Sequence, residues 1–268
     1  MIFNSKVEFW KWKNSEDAPE QGHYAIDEDV RFNYRIDNIG ALIEARYLKK
    51  TEKNRLGVNV PINFAHTVFA KCLDIKDCDF FYDFGLYNNC EYNNRVTIER
   101  NTFNKIFDIS NSHFNNSNII PVCISSNEFF SKAKFNEISS NREIIIERCT
   151  FFDEVNFRNC KFHKKIIIKD CIFKKGVTFS GTYFVKGLSF INNEIYCCIN
   201  FENCVFGGKI KIFHTKGEFY EINLNASVLK GLLELNGLRS RIFLLDKSSI
   251  QLKNVFVEPS GYLIRDIQ

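Results

Sequence analysis

Ten cysteines and five histidines are the side chains of this 268-residue sequence best suited to metal or nucleophilic chemistry, and their spacing argues against both. No CxxC pair occurs. Cys149, Cys160, Cys171 and Cys204 fall at one position of a repeat, which reads as reduced, buried thiols, not as a metal site or a disulfide framework. Cys197 and Cys198 stand together at an expected corner, where one thiol is exposed, but no neighbouring pattern implies activation. His23, His66, His113, His163 and His214 share no register that would stack them, so they read as solvated or turn residues. There is no Walker loop, GxGxxG, HExxH or GxSxG. The chain is therefore not expected to be an enzyme, and neither a cofactor nor a metal is expected; the sequons at Asn115 and Asn225 read as chance.

Charge is more informative. Lys and Arg total 36 against 32 Asp and Glu, a net charge of +4, too small an excess to declare a nucleic-acid partner. Locally the balance is uneven. Three alternate 11-residue units between positions 155 and 209 carry Arg158, Lys161, Lys164, Lys165, Lys186 and Lys209 against Glu202 alone. The units between them carry Lys169, Lys174 and Lys175 against Asp170 and Glu194. If alternate units face the same way, the first six residues form a basic strip suited to an anionic partner.

Whether they do depends on the repeat. From Val155 to Lys209 the sequence runs in five gapless 11-residue units. In each, two apolar positions lie two residues apart, as in Val155/Phe157, Ile166/Ile168 and Val177/Phe179. A small or amide residue and a large one follow at the same spacing, as in Cys160/Phe162, Cys171/Phe173 and Thr182/Phe184. A spacing of two puts both side chains of a pair on one face of a short strand. The register extends to Ile62/Phe64 on one side and Val255/Val257 on the other, with a four-residue insertion around Asn118 and one further slip. An 11-residue period also fits a right-handed coiled coil. The β-branched and aromatic positions and the corners Lys175-Gly176, Lys186-Gly187 and Gly207-Gly208 favour strand and turn. With 28 Phe and one Met, the core is expected to be rigid.

The alternation of small and large inward residues, with steps of five and six between successive central residues, resembles the Phe-rich 5+6 variant of the pentapeptide-repeat family. The resemblance covers 62 to 262. It implies an all-β fold, a right-handed quadrilateral parallel β-helix with two units, about 22 residues, per coil. About nine coils would then stack as a rod of roughly 40 Å, over residues 61–268. Residues 1–60 do not repeat and read as a small α/β cap or accessory module. Val30, Phe32, Tyr34 and Ile36 alternate as a strand, and Ile39, Leu42, Ile43, Arg46 and Tyr47 share one side of a helix. Trp10 and Trp12 share a side if 6–12 is a strand.

The expected function is non-enzymatic binding: a rigid rod that docks a macromolecular partner, most simply a protein, as an inhibitor or accessory factor of a nucleic-acid-processing enzyme. The resemblance implies mimicry of duplex DNA toward type II topoisomerases, but that role needs an acidic surface, and only Asp74, Asp77, Asp79 and Asp83 offer one locally. The alternatives are direct nucleic-acid binding through the basic strip and a carbohydrate-active β-helix enzyme, which would need larger loops than the one modest insertion near 115–121. No apolar run nears the roughly 18 residues of a membrane span and the start lacks the apolar core of a signal peptide, so no membrane partner and a cytoplasmic location are expected.

Overall fold

Units whose apolar residues alternate two apart bury them only if each unit returns over the one before. In the computed structural model, which describes residues 1–16, 18, 24–116, 120–213, 215, 221–224, 226–231, 233–236, 242–244 and 255–257, they do so. The strands form four sheets of ten, ten, nine and eight strands. Each coil visits four faces in turn. On face 1 Val155–Asn156 pairs with Val177–Thr178, and on face 2 Lys161–Phe162 pairs with Tyr183–Phe184. On face 3 Ile166–Lys169 pairs with Leu188–Ile191, and on face 4 Ile172–Phe173 pairs with Glu194–Ile195. All four pairings are parallel with partners 22 positions apart. The coil is thus two repeat units, as expected from the resemblance. Among the described residues the four sheets stack about eight coils.

The core is one continuous column. Because stacked strands lie about 4.8 Å apart, identical inward residues fall into ladders of parallel rings. Phe80, Phe103, Phe129, Phe151 and Phe173 stack with centroids 4.7 to 5.0 Å apart. Phe157, Phe179 and Phe201 do the same at 4.9 and 5.0 Å.

The small inward position has a reason beyond size. Just before it the backbone turns through the left-handed region, at Asn159, Asp170, Gly181, Asn192 and Asn203 among others, and this tight corner leaves a carbonyl pointing inward. The next residue donates to the equivalent carbonyl one coil below: Cys160 to Phe157's predecessor Phe135 (2.9 Å), Thr182 to Phe157, Cys204 to Phe179 (3.0 Å) and Asn193 to Ile168 (3.0 Å). The same side chains accept from backbone N–H groups beneath them, Thr182 from Cys160 and Asn193 from Cys171. A buried carbonyl without a partner is costly, so the position takes Cys, Ser, Thr or Asn: small side chains with a donor. Six of the ten cysteines are buried and all ten are free thiols, with Cys197 exposed. Burial pushes the Cys78, Cys90, Cys160 and Cys204 thiols up to about 12.

Both irregularities of the repeat lie at corners. The slip is one extra residue at Asn88 and Asn89, both with positive φ. The four extra residues fall between faces 2 and 3, after Phe114, which pairs with Ser140.

The first 60 residues differ from expectation. Lys6–Lys13 is an α-helix, not a strand; Ser5 caps it by accepting from the Glu8 N–H. Phe9 and Trp12 then pack with Phe3 over Phe32, closing the end of the core. The expected helix over 39–47 is two short 3-10 turns, Ile39–Ala41 and Ala45–Tyr47, followed by an antiparallel pair, Leu48–Lys50 with Leu56–Val58. Ile39, Leu42 and Ile43 are buried as anticipated. Tyr24–Ile26 and Val30–Phe32 pair in parallel with the strands at Ile62 and Thr67. They are the first two sides of a coil whose repeat is interrupted by the excursion through 37–59.

Candidate anion-docking edge

Three residues per coil turn the corner between faces 2 and 3, and the backbone ladder sets them in columns. Val185 N–H donates to the Phe162 carbonyl and Gly207 N–H to Phe184, which aligns Lys164, Lys186 and Gly208. Ile166 N–H donates to Gly187 and Leu188 N–H to Lys209, which aligns Lys165, Gly187 and Lys209. Four of the six expected residues therefore meet on one edge within two coil steps, about 10 Å. Gly187 is required there: its φ is +93°, and a Cβ would lie 1.9 Å from the Lys209 carbonyl oxygen. Lys161 projects from the adjoining face 2, whereas Arg158 stands at the far corner of that face and is not part of the cluster.

Pairing separates this edge from the rest of the surface. Among the described residues, no carboxylate lies within ion-pair distance of Arg158, Lys161, Lys164, Lys165 or Lys186; Lys209 pairs with Glu234, which also takes Lys211 at 3.8 Å. The other side of the same coils is neutralised. Lys169 pairs with Glu147 at 2.8 Å and Lys175 with Asp153 at 2.9 Å, while Lys174 lies 3.7 Å over the Tyr196 ring. Each hydrogen-bonded pair holds its lysine above and its carboxylate below the ordinary range.

One residue of the edge was not anticipated. Arg142 occupies the Lys164 column one coil below and is 3% exposed. Its Nε and Nη2 donate to the Ile120 carbonyl at 3.0 and 2.9 Å, Nη2 also to Pro121 at 3.3 Å, and Nη1 to Asn94. The carbonyls of the insertion satisfy its N–H groups but carry no charge to cancel its own, and burial pushes its pKa down. A shallow pocket lies beside it, lined by Asn93, Asn94, Arg95, Asn116 and Ile120. The signals in the sequence were Arg142's place 22 positions before Lys164 and its position after the insertion. Glu143, beneath Lys165, is the carboxylate of this corner.

The acidic segment is not a free anionic surface. Asp74 pairs with Arg95, Asp77 with Arg100 and Asp79 with Arg55, and Asp83 accepts from the Ile106 N–H. His66 lies 3.6 Å from Asp27; His23 and His214, Asn225, and the repeat positions at 245, 248, 250, 260 and 262 lie outside the described residues. Among the described residues no three metal-ligating side chains converge and no helix is long and apolar enough to cross a membrane. No protein-family profile, curated protein or solved structure matches the chain.

Proposed function

We propose that the chain is a non-enzymatic binding protein of the cytoplasm, a rigid rod that docks an acidic protein surface on the edge between faces 2 and 3. The observation that carries this reading is the contrast in pairing: among the described residues Lys164, Lys165 and Lys186 have no carboxylate partner, while Lys169 and Lys175 in the same coils do. Like charges held about 5 Å apart by the strand spacing repel one another, and Arg142 adds an uncancelled charge below them. An acidic partner relieves both. The patch spans about 10 Å, which matches a cluster of carboxylates but only about three phosphates of one strand. The corner residues around the lysines, His163, Val185 and Gly207, offer little of the aromatic platform on which single strands stack. An inhibitor or accessory factor of a nucleic-acid-processing enzyme fits such a rod, but not by the DNA mimicry that the pentapeptide-repeat resemblance implies, since this edge is basic.

Fluorescence anisotropy with a labelled Glu-rich peptide and with labelled DNA and RNA, single- and double-stranded, tests it. Lys164→Glu/Lys186→Glu is compared with Lys49→Glu/Lys50→Glu, the same charge change in the cap. The expected result is salt-sensitive peptide binding that the edge variant loses and the cap variant keeps. Equal behaviour of the two variants contradicts the proposal, and tighter binding to nucleic acid would replace it with direct nucleic-acid recognition.

A further inference from the structure

The corner diagonally across the rod, between faces 4 and 1, is of a different kind. Its leading column holds Phe81, Asn104, Phe130, Phe152, Lys174 and Tyr196. Each backbone N–H donates to the coil below, to Val58, Phe80, Phe103, Phe129, Phe151 and Phe173 in turn. The four aromatic residues are 42%, 46%, 36% and 41% exposed. Apart from the cap and Ile120 in the insertion, every exposed large apolar side chain among the described residues stands at this corner, with Tyr82 as the fifth. Phe130 and Phe152 stack at 4.5 Å, and Lys174 covers Tyr196. Scattered surface apolar residues need no explanation, but four aromatic residues aligned in one column of six mark an interaction surface.

The column reads the same in both directions. Aromatic, polar, aromatic is followed by aromatic, cation, aromatic, with the midpoint between Phe130 and Phe152. A two-fold axis through that midpoint, perpendicular to the rod, sets a second copy antiparallel along the ridge. Phe81 then faces Tyr196 of the second copy, Asn104 faces Lys174, and Phe130 faces Phe152. At the last residue of the corner Lys132 comes opposite Glu154 of the second copy; the two already pair with each other within one chain at 3.0 Å, so two copies set these four charges together with alternating sign. The middle residue gives one like-charge pair, Lys105 with Lys175, and Lys175 is already held by Asp153 at 2.9 Å. We infer that this ridge is the self-complementary interface of an antiparallel homodimer. The occupant is a second copy because the symmetry of the residue order serves no unrelated partner. The dimer leaves both basic edges on its outer sides, facing away from each other.

Sedimentation equilibrium of the full chain under reducing conditions is expected to give twice 31.4 kDa. Phe130→Asp/Phe152→Asp, with unchanged circular dichroism, is expected to raise the dimer dissociation constant at least ~30-fold, the range for central aromatic anchors. Register is tested in a Cys197→Ser background by oxidative cross-linking. Asn104→Cys mixed with Lys174→Cys should cross-link, while Asn104→Cys alone should not, because its two copies lie three coil steps apart, about 14 Å. A monomeric mass at all concentrations, a dimer indifferent to the Phe130/Phe152 change, or efficient cross-linking of Asn104→Cys to itself would each overturn the inference.

Discussion

Truncating Phe179 to Ala removes an inner ring of the four-ring ladder Phe135, Phe157, Phe179 and Phe201. Phe179 is fully buried, stacked 4.9 Å from Phe157 and 5.0 Å from Phe201, with Phe184 at 5.7 Å. Burying a Phe side chain contributes roughly 1.5–3 kcal/mol, and each ring pair adds about 0.5–1.5 kcal/mol beyond area. The neighbours cannot close the gap: the backbone ladder holds Phe157 and Phe201 two strand spacings apart, about 10 Å. The cost should therefore lie toward the upper end of the 3–5 kcal/mol typical of Phe→Ala. Urea melts followed by circular dichroism report the coils, and tryptophan emission reports the cap, where both tryptophans lie. In a solenoid the loss is carried by the coil and its neighbours, so the circular-dichroism transition should shift more than the tryptophan signal. A change below about 1 kcal/mol would show that this position does not lie in a close-packed core.

Thr182→Val strands the Phe157 carbonyl and the Cys160 N–H and should cost about 1–3 kcal/mol in the same melts, while Thr182→Ser should recover most of it. Raising the pH should destabilise the rod. The Cys160 and Cys204 thiols are raised to about 12 when folded, so their contribution is complete below the unfolded value near 8.5 and is lost as pH rises toward 12. The slope is about 1.4 kcal/mol per pH unit per thiol, and constant stability from pH 8 to 11 in reductant would count against it. Glu147 and Asp153 are lowered by Lys169 and Lys175. Their contribution is present above the unfolded carboxylate range and is lost as pH falls below about 4; Glu147→Gln should flatten that acid limb in melts from pH 5 to 2.5.

The four inward positions per unit were legible because period two and period 11 coincide over five units, and the structure keeps Val155, Phe157, Cys160 and Phe162 facing inward. The first coil was hidden because 25 residues of 3-10 turns and hairpin separate Ile36 from Ile62, and because its pairs stand four apart, Ile26 to Val30, a step that recurs only at the slip, Leu86 to Cys90, among the described coils up to Cys204. The helix at Lys6 was missed because its end, Trp10-Lys11-Trp12-Lys13, alternates like a strand, with the Ser5 cap a weak local signal. At the edge, the columns followed from the coil length, but pairing did not. Lys209 finds Glu234 across the corner, and Arg142 is buried by carbonyls of the insertion; neither partner is given by charge spacing along the chain.

A pair of deletions tests most directly whether the 22-residue coil builds the docking edge. Removing 166–187 takes out one whole coil, Lys186 included, but leaves Arg142, Lys164, Lys165 and Lys209 on one corner. Removing only 166–176 keeps Lys186 yet turns it and Lys209 to the opposite side of the rod. Anisotropy with the acidic peptide at low salt should therefore show binding weakened by both deletions, which each take Lys186 off the edge, and weakened further by the smaller one, which also takes Lys209 off it. Equal binding by the two, or the reverse order, would contradict the account.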